Sequence, residues 1–344
     1  MSRFAGAVAY AQAHESQMDR DIGAALAGGH FSEPLPDGEI IGPVRPRGNP
    51  SGMTWHRGEV TSWGPVDTPD MTFSVTKGYL ALIAGLAWAD GLIDLDAPCR
   101  ELVPNLFDAP QNQAITWTHL LQQTSEWEGA LWGKADRIDR NRSLDTAPGE
   151  PSMKGTHRDL AKPGTFWEYN DIRVNVLSLA LMRVFRRPLP EVLRDRIMDP
   201  ISASHEWEWH GYANSWEEVD GRRIQSVSGG AHWGGGLMIP TSDHLAVGRL
   251  MLQRGAWNGK QLIPEAWIDR CLESCPLNPG YGFLWWLNRN GETAPSAPAT
   301  SYFAIGVGRN AIWIDPDLDL VAVVRWIDKD AFDGFCNRVL TEMG

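Results

Sequence analysis

Cysteine is scarce: the 344-residue chain has four, Cys99, Cys271, Cys275 and Cys336. Their spacing matches no secreted disulfide framework, which excludes a stapled scaffold and makes a reduced, cytoplasmic protein the expectation. Cys271 and Cys275 stand one turn apart and read as free thiols on one helix. Positive charge is also short. Lys and Arg total 31 against 43 Asp and Glu, a formal charge of −12 with a pI near 5.2. Such a chain repels phosphate backbones and anionic bilayers, so neither nucleic acid nor a membrane is an expected partner. No run of about 18 apolar residues occurs, which excludes a spanning helix. Glu15, Asp19 and Asp21 break the N-terminal stretch, which suits an amphipathic first helix better than a signal peptide.

Several catalytic signatures are missing as well. There is no Gly-x-Ser-x-Gly elbow, and the glycine run at 229–236 lacks the Lys-Ser/Thr of a phosphate loop. His205 and His210 lie five residues apart with Trp207 and Trp209 between them, a poor spacing for two ligands on one helical face. They read as structural histidines, and no metal or cofactor is expected. What the chain has in excess is tryptophan: 17, against 6 Tyr and 10 Phe.

The length suggests about two domains. Residues 31–53 are rich in Pro and Gly and lead as an irregular connection into a strand-like stretch at 53–64. Residues 75–91 are apolar on nearly every face and end at Gly91, the pattern of a helix buried in mid-domain with a glycine cap. From 92 to about 228 the texture is helix and loop, and strand signals return near Ile224 and after the glycine run. Helical patterns then alternate with strand-like runs at 281–289, 311–316 and 318–326. This organisation predicts a domain assembled from 1–92 and 224–344, a mostly helical domain at 93–223 inserted into it, and a site in the cleft between them.

The strongest chemical signal is Ser74-Val75-Thr76-Lys77 at the start of the buried helix. Positions i and i+3 share a face, so the Lys77 amine can stand beside the Ser74 hydroxyl. Serine is a weak nucleophile until a base takes its proton, and lysine can be that base if its pKa is lowered toward neutrality. The same four residues also describe a capping serine followed by a solvated lysine. The apolar helix behind Lys77 leaves that amine few routes to water. Tyr169, in a turn after Pro163-Gly164 and before a helix at 171, is a candidate proton relay; a tyrosine packing a turn is the plainer alternative. Near the end, Ala304-Ile305-Gly306 leads into a strand where glycines permit close backbone approach.

In this order, Ser-x-x-Lys, then Tyr169-Asn170-Asp171, then a glycine-rich strand, the chain resembles the penicillin-recognising serine hydrolases. Within them it is most similar to the 6-aminohexanoate-dimer hydrolases and the family VIII carboxylesterases. The stretches MTFSVTK, LLQQTSEWEG, PGTFWEYND and GGAHWGGG extend the likeness beyond the motifs. The resemblance implies a β-lactamase/transpeptidase-like α+β fold: an antiparallel sheet flanked by helices, with an inserted, mostly helical domain.

It also implies roles. Ser74 matches the acylated nucleophile, Lys77 its base partner and Tyr169 the proton shuttle. The Ser74 and Ile305 amides match the oxyanion hole, with Gly306 in the same strand motif. His232 matches a cleft position, with Trp233 beside it, and Trp132 falls near the loop tyrosine that covers substrate in those enzymes, with Trp in place of Tyr. Two departures stand out. Asp171 replaces the amide of Tyr-x-Asn, and no Lys-Thr-Gly supplies a cation for a substrate carboxylate. Both favour a neutral or amine-bearing small ester or amide over a penicillin. A β-lactamase, a D-amino-acid peptidase or a catalytically silent binding protein is the alternative; the oligomeric state is left open, a homodimer included. The tryptophans near these elements in sequence (Trp117, Trp127, Trp132, Trp167, Trp207, Trp209, Trp216, Trp233, Trp285, Trp286) include core residues and suggest an aromatic-walled acyl pocket.

Overall fold

The computed structural model describes residues 3–31, 33, 35–144 and 151–343. Ten strands build two antiparallel sheets. The larger takes β1 (Ser51–His56), β2 (Glu59–Trp63), β7 (Trp286–Leu287), β8 (Tyr302–Gly306), β9 (Asn310–Asp315) and β10 (Leu320–Arg325) in the order β7-β8-β9-β10-β1-β2. The smaller takes β3 (Asp70–Met71), β4 (Glu208–Val219), β5 (Arg222–Val227) and β6 (Gly236–Ile239) in the order β3-β6-β4-β5. The β1–β2 hairpin turns at Arg57-Gly58, where both residues take positive φ, the requirement of a tight two-residue turn.

Strands β9 and β10 are buried at every position because helices cover both faces of the sheet. Side chains alternate across a strand, so the two faces feed different cores. Ile312, Ile314, Val321 and Val323 pack with Leu245, Leu250 and Met251 of α4 (Thr241–Leu252). Trp313, Leu320, Ala322 and Val324 pack instead with α1 (Ala5–Ala13) and α5 (Phe332–Met343). The apolar run after Ser74 forms α2 (Thr76–Ala89), with twelve of its fourteen residues buried; Gly91 follows it at positive φ. Helix α3 (Asp171–Phe185) packs beside α2 and is buried to a similar degree.

The segment 93–223 differs from the helical domain expected. Its α-helices are Trp117–Leu121, α3 and Leu189–Leu193, and among the described residues from 122 to 170 there is no α-helix. Strand β4 lies inside that segment, and its hairpin partner β5 crosses the boundary at 223. Trp207 and Trp209 are buried while Glu206 and Glu208 are exposed. That alternation is the period of a strand, and it also removes the helical face that a His205–His210 pair would need. Cys271 lies on the helix Glu265–Leu272, but that helix ends before Cys275; all four cysteines are buried and unpaired. No helix among the described residues is long and apolar enough to cross a membrane.

Around Gln123–Glu126 the chain is held by charge. Gln123, Thr124, Ser125 and Glu126 are buried although they form no regular element. The Glu126 carboxylate accepts from both Arg158 Nη atoms (2.6 and 2.7 Å), from Arg173 Nη1 of α3 (2.7 Å) and from the Ala161 amide (2.8 Å). Burial pushes its pKa up, but Arg158 and Arg173 outweigh burial and hold it below the ordinary 4.5. Its contribution to stability is therefore complete above about pH 4.5 and fades as the pH falls below that. Glu126→Gln should lower the unfolding free energy at pH 7 by about 3 kcal/mol, because it leaves Arg173 under-compensated in the core. Urea melts should show the loss at pH 7 and a smaller difference from the parent at pH 3.

Candidate active site

A short 3-10 turn, Phe73–Val75, turns the chain from β3 into α2 and carries Ser74. Between Met71 and Ala87 only Ser74 is not buried, so this buried stretch reaches the surface at that one hydroxyl-bearing residue. The turn requires φ +48° at Phe73, a left-handed conformation that costs a non-glycine residue about 1–2 kcal/mol. Surrounding contacts hold it there. The Phe73 ring is fully buried edge-on to Trp326, the Thr72 hydroxyl pairs with His244 Nε2 at 2.8 Å, and Arg325 donates to the Met71 carbonyl at 2.6 Å. From the other side, β8 passes so closely that a Cβ at Gly306 would overlap the Thr72 carbonyl and lie 3.0 Å from the Ser74 nitrogen.

One turn into α2, Lys77 Nζ donates to Ser74 Oγ at 2.8 Å and to Asp171 Oδ1 at 2.5 Å. Its ammonium also stands 4.6 Å from the centroid of the Tyr169 ring. Burial lowers the Lys77 pKa, but Asp171 and Tyr169 together outweigh it and the net shift is upward. A lysine acting as the resting base needs the opposite sign, so the condition attached to that expectation is not met. Gly230 makes room for the pair: a Cβ there would overlap Asp171 Oδ1 and lie 2.6 Å from Lys77 Nζ.

Tyr-Asn-Asp has a local explanation. Asn170 caps α3, its Oδ1 accepting from the Ile172 and Arg173 amides, while its Nδ2 donates to the Asp136 carbonyl. On one side of it, Glu168 accepts from Arg158 and from the Asn141 amide. Tyr169 is thus clamped between two anchored neighbours. Its ring stacks on Trp286 at 5.7 Å and 23°, and Tyr281 meets it edge-on at 6.3 Å.

Asp171 opens α3 and faces inward. Its Oδ2 lies 2.7 Å from both Arg142 Nη1 and His232 Nδ1, and its amide donates to Asp139 Oδ2 at 2.7 Å. With Lys77 on Oδ1, both carboxylate oxygens are engaged inside the protein; burial pushes the pKa of this carboxyl up, but Lys77, Arg142 and His232 outweigh it and hold it well below the ordinary range. His232 reaches Glu33 with its other nitrogen at 2.6 Å and stacks on Phe31. Glu33, Asp139 and His232 lie close enough to ligate a metal ion. A cation already stands among them: Lys154 Nζ pairs with Glu33, is 3.1 Å from Asp139 Oδ1 and 3.3 Å from His232 Nε2.

Sequence reasoning therefore placed Ser74, Lys77, Tyr169, Asp171, His232 and Gly306 around one point. Three expected substrate contacts differ. Asp171 and His232 are buried and turned to internal partners, and Trp233 is fully buried with its Nε1 donating to the Asp37 carbonyl. Trp132 is half-buried and leans edge-on against Tyr212. The aromatic side chains beside Tyr169 are Trp286 and Tyr281, with Trp167 against both. Strand alternation could have separated Trp285, which is packed under α2 at Gly78, from Trp286, which faces Tyr169. Arg142, Asp139, Glu33 and Lys154 carried no sequence signal. Ile305 sits on β8, where β7 pairs with Tyr302 and Phe303, so that among the described residues this edge has no strand beside Ala304–Gly306.

Gly306→Ala should push β8 from the Ser74 turn. Ester hydrolysis should fall about 10²-fold, the cost of a misplacement near 1 Å, with a far smaller change in melting temperature. Steady-state rates beside thermal melts check this, and equal activity would contradict the close approach.

Comparison with known proteins fits this geometry. The Beta-lactamase family model matches residues 44–326. A 6-aminohexanoate-dimer hydrolase of Paenarthrobacter ureafaciens is 22% identical over 292 residues, covering 77% of this chain and 68% of that protein. A penicillin-binding protein homologue from Caulobacter crescentus superposes with a TM-score of 0.62 at 15% identity over 99% of this chain and 98% of its own. EstCE1, a hydrolase with promiscuous acyltransferase activity, gives 0.59 at 16% identity over 92% and 97%. These likenesses show a β-lactamase/transpeptidase-like fold of antiparallel sheet and flanking helices. With the family model spanning most of its length, the chain belongs to the Beta-lactamase family and is a hydrolase of that fold.

Proposed function

We propose that this hydrolase acts through an acyl-enzyme on carboxylic esters or amides of small molecules, with Ser74 as nucleophile. The observation that carries this reading is the 2.8 Å bond from Lys77 Nζ to Ser74 Oγ at the one surface-reaching point of an otherwise buried stretch. Ser74 attacks the carbonyl carbon, Lys77 and Tyr169 manage the proton that passes to the leaving group, and water then releases the acid. The Ser74 and Ile305 amides receive the oxyanion, and the unpaired edge of β8 beside the nucleophile turn supports this assignment.

The substrate is uncharged where it meets the enzyme. Asp171 has no oxygen left for a substrate ammonium, and Ala304-Ile305-Gly306 offers no cation for a carboxylate. The apolar part lies toward Trp286, Tyr281 and Trp167. A groove of about 360 Å³ opens on the Trp167 side, lined by Phe166, Leu277 and Pro279 among others. We place the protein in the cytoplasm, in keeping with four buried free thiols.

p-Nitrophenyl acetate and butyrate should both turn over, and Ser74→Ala should lose at least about 10³-fold in kcat/KM. Equal rates would overturn the nucleophile. Nitrocefin should be a poorer substrate than either ester; the reverse order would favour a β-lactamase. Trp286→Ala should change the butyrate-to-acetate preference by about 10-fold, since each methylene held in an apolar site is worth roughly 1–3 kcal/mol.

A further inference from the structure

Behind Asp171 lies a buried cluster of charge that one distant residue completes. Counted with His232 neutral, it holds three cations (Lys77, Arg142, Lys154) and three carboxylates (Asp171, Asp139, Glu33), and none of the six side chains is more than 9% exposed. Five of them come from residues 77–171; Glu33 arrives from the Pro- and Gly-rich segment near the N-terminus. That segment is tied down on the body of the protein. Lys154 Nζ pairs with the Glu33 carboxylate and donates to the Phe31 carbonyl at 3.1 Å. Lys134 Nζ donates to the carbonyls of Pro36, Asp37 and Glu39 at 3.3, 2.8 and 2.9 Å. Beneath lie His232, with the Phe31 ring stacked on it at 4.1 Å and 26°, and Trp233, whose Nε1 donates to the Asp37 carbonyl at 2.8 Å. His232 is the residue that the resemblance places in the substrate cleft, and here the chain itself covers it.

Glu33 sits as a bound carboxylate would. Its Oε1 receives two groups at once, Lys154 Nζ and His232 Nε2, the latter at 2.6 Å. Arg142 joins this position to the reacting groups: its guanidinium stands 5.7 Å from the centroid of the Phe31 ring and 5.4 Å from that of the Tyr169 ring. We propose that Lys154 and His232 form a carboxylate-binding site one guanidinium away from Tyr169, that Glu33 fills it from within the chain, and that this occupant determines specificity by refusing acyl groups that carry a free carboxylate. The specificity clause rests on the hydrolase reading and gives the neutral substrate a second cause: cations do stand near the site, and they are already taken.

Charge balance demands an occupant. Without Glu33, three buried cations would face two carboxylates, and a buried charge stripped of its partner is strongly destabilising. An intramolecular carboxylate meets that demand at high effective concentration, so a substrate carboxylate would have to displace a residue tethered through Phe31 and through Lys134. Glu33 also stays ionised in place: burial pushes its pKa up, but His232 and Lys154 outweigh burial and the net shift is downward from 4.5.

The test removes the occupant and offers another. Sodium acetate should raise the melting temperature of Glu33→Ala by about 2 °C beyond sodium chloride at equal ionic strength. In the parent and in Glu33→Gln the two salts should act alike, because a side chain still fills the site. An acetate effect no larger in Glu33→Ala than in the parent overturns the site. If Glu33→Ala does not fold unaided, its refolding yield should rise with acetate more than with chloride, and an equal yield overturns the site as well. Specificity is read as a ratio of kcat/KM, mono-4-nitrophenyl glutarate over 4-nitrophenyl butyrate. Glu33→Ala should raise that ratio by about 10-fold, the value of one hydrogen bond to a charged group, and added acetate should bring it back. A merely structural loss would lower both esters together, and an unmoved ratio in the folded variant overturns the specificity clause. Acetate stabilisation in a protein that hydrolyses neither ester supports the carboxylate site while removing the hydrolase reading.

Discussion

The Lys77–Asp171 ion pair is the constraint around which the site is arranged. Both side chains are almost wholly withdrawn from water, and each buried ion costs several kcal/mol before any attraction is counted. A short contact recovers that cost only if the remaining lone pair and protons are also satisfied. Ser74, Arg142, His232 and the Asp139–Asp171 amide contact supply what is needed. Each of these brings a charge or polar group of its own, which explains why the layer continues outward to Glu33 and Lys154 before reaching neutrality. The same six charges would be a liability in an apolar core, and the protein keeps them where they sit behind Ser74.

Backbone geometry follows from the same demand. Two segments come close enough to the pair and to Ser74 that no side chain fits between: Gly230 against Lys77 and Asp171, and Gly306 against the Ser74 turn. The left-handed Phe73 belongs to this set, because it aims the serine outward while the rest of the turn stays inside. A helix buried on nearly every face is what makes such strain tolerable. Moving Phe73 to a relaxed conformation would lift Thr72 from His244 and Met71 from Arg325, both deep in the core.

How much of this could be read from the residues depended on whether the signal was local. The i,i+3 relation of Ser74 and Lys77 is a property of helix geometry, and the apolar run behind it identified the buried helix. Tyr169 was legible because a turn signal and a helix start bracket it. Strand β4 was missed although Glu206-Trp207-Glu208-Trp209 alternates plainly, because attention to His205 and His210 as ligands obscured the period-two pattern. Residues 122–170 were unreadable for a deeper reason. Within them, residues 123–127 are buried without periodicity, and what holds this run is Glu126 meeting Arg158 and Arg173 across 32 and 47 positions. Contacts that distant leave no pattern in a single sequence. Asp171 was located correctly but turned the wrong way: a carboxylate in place of an amide looks like a new substrate contact until its three internal partners, Lys77, Arg142 and His232, are known.

The tryptophans make the same point from the apolar side. Trp233, Trp267, Trp285, Trp313 and Trp326 are among the most deeply buried side chains, so much of the excess is core. Several have work there that a smaller residue could not do: Trp267 reaches the Ala81 carbonyl through a helix glycine, Gly85, and Trp326 lies against Phe73 while its Nε1 donates to Asp70. Trp286 is different because its face is given to Tyr169. That stacked indole keeps water from one side of the Tyr169 ring. Lys77 occupies a second side of the same ring, and Tyr281 a third. Tyr169 is thus held in a three-walled site, with the Lys77 ammonium 4.6 Å and the Arg142 guanidinium 5.4 Å from its ring centroid.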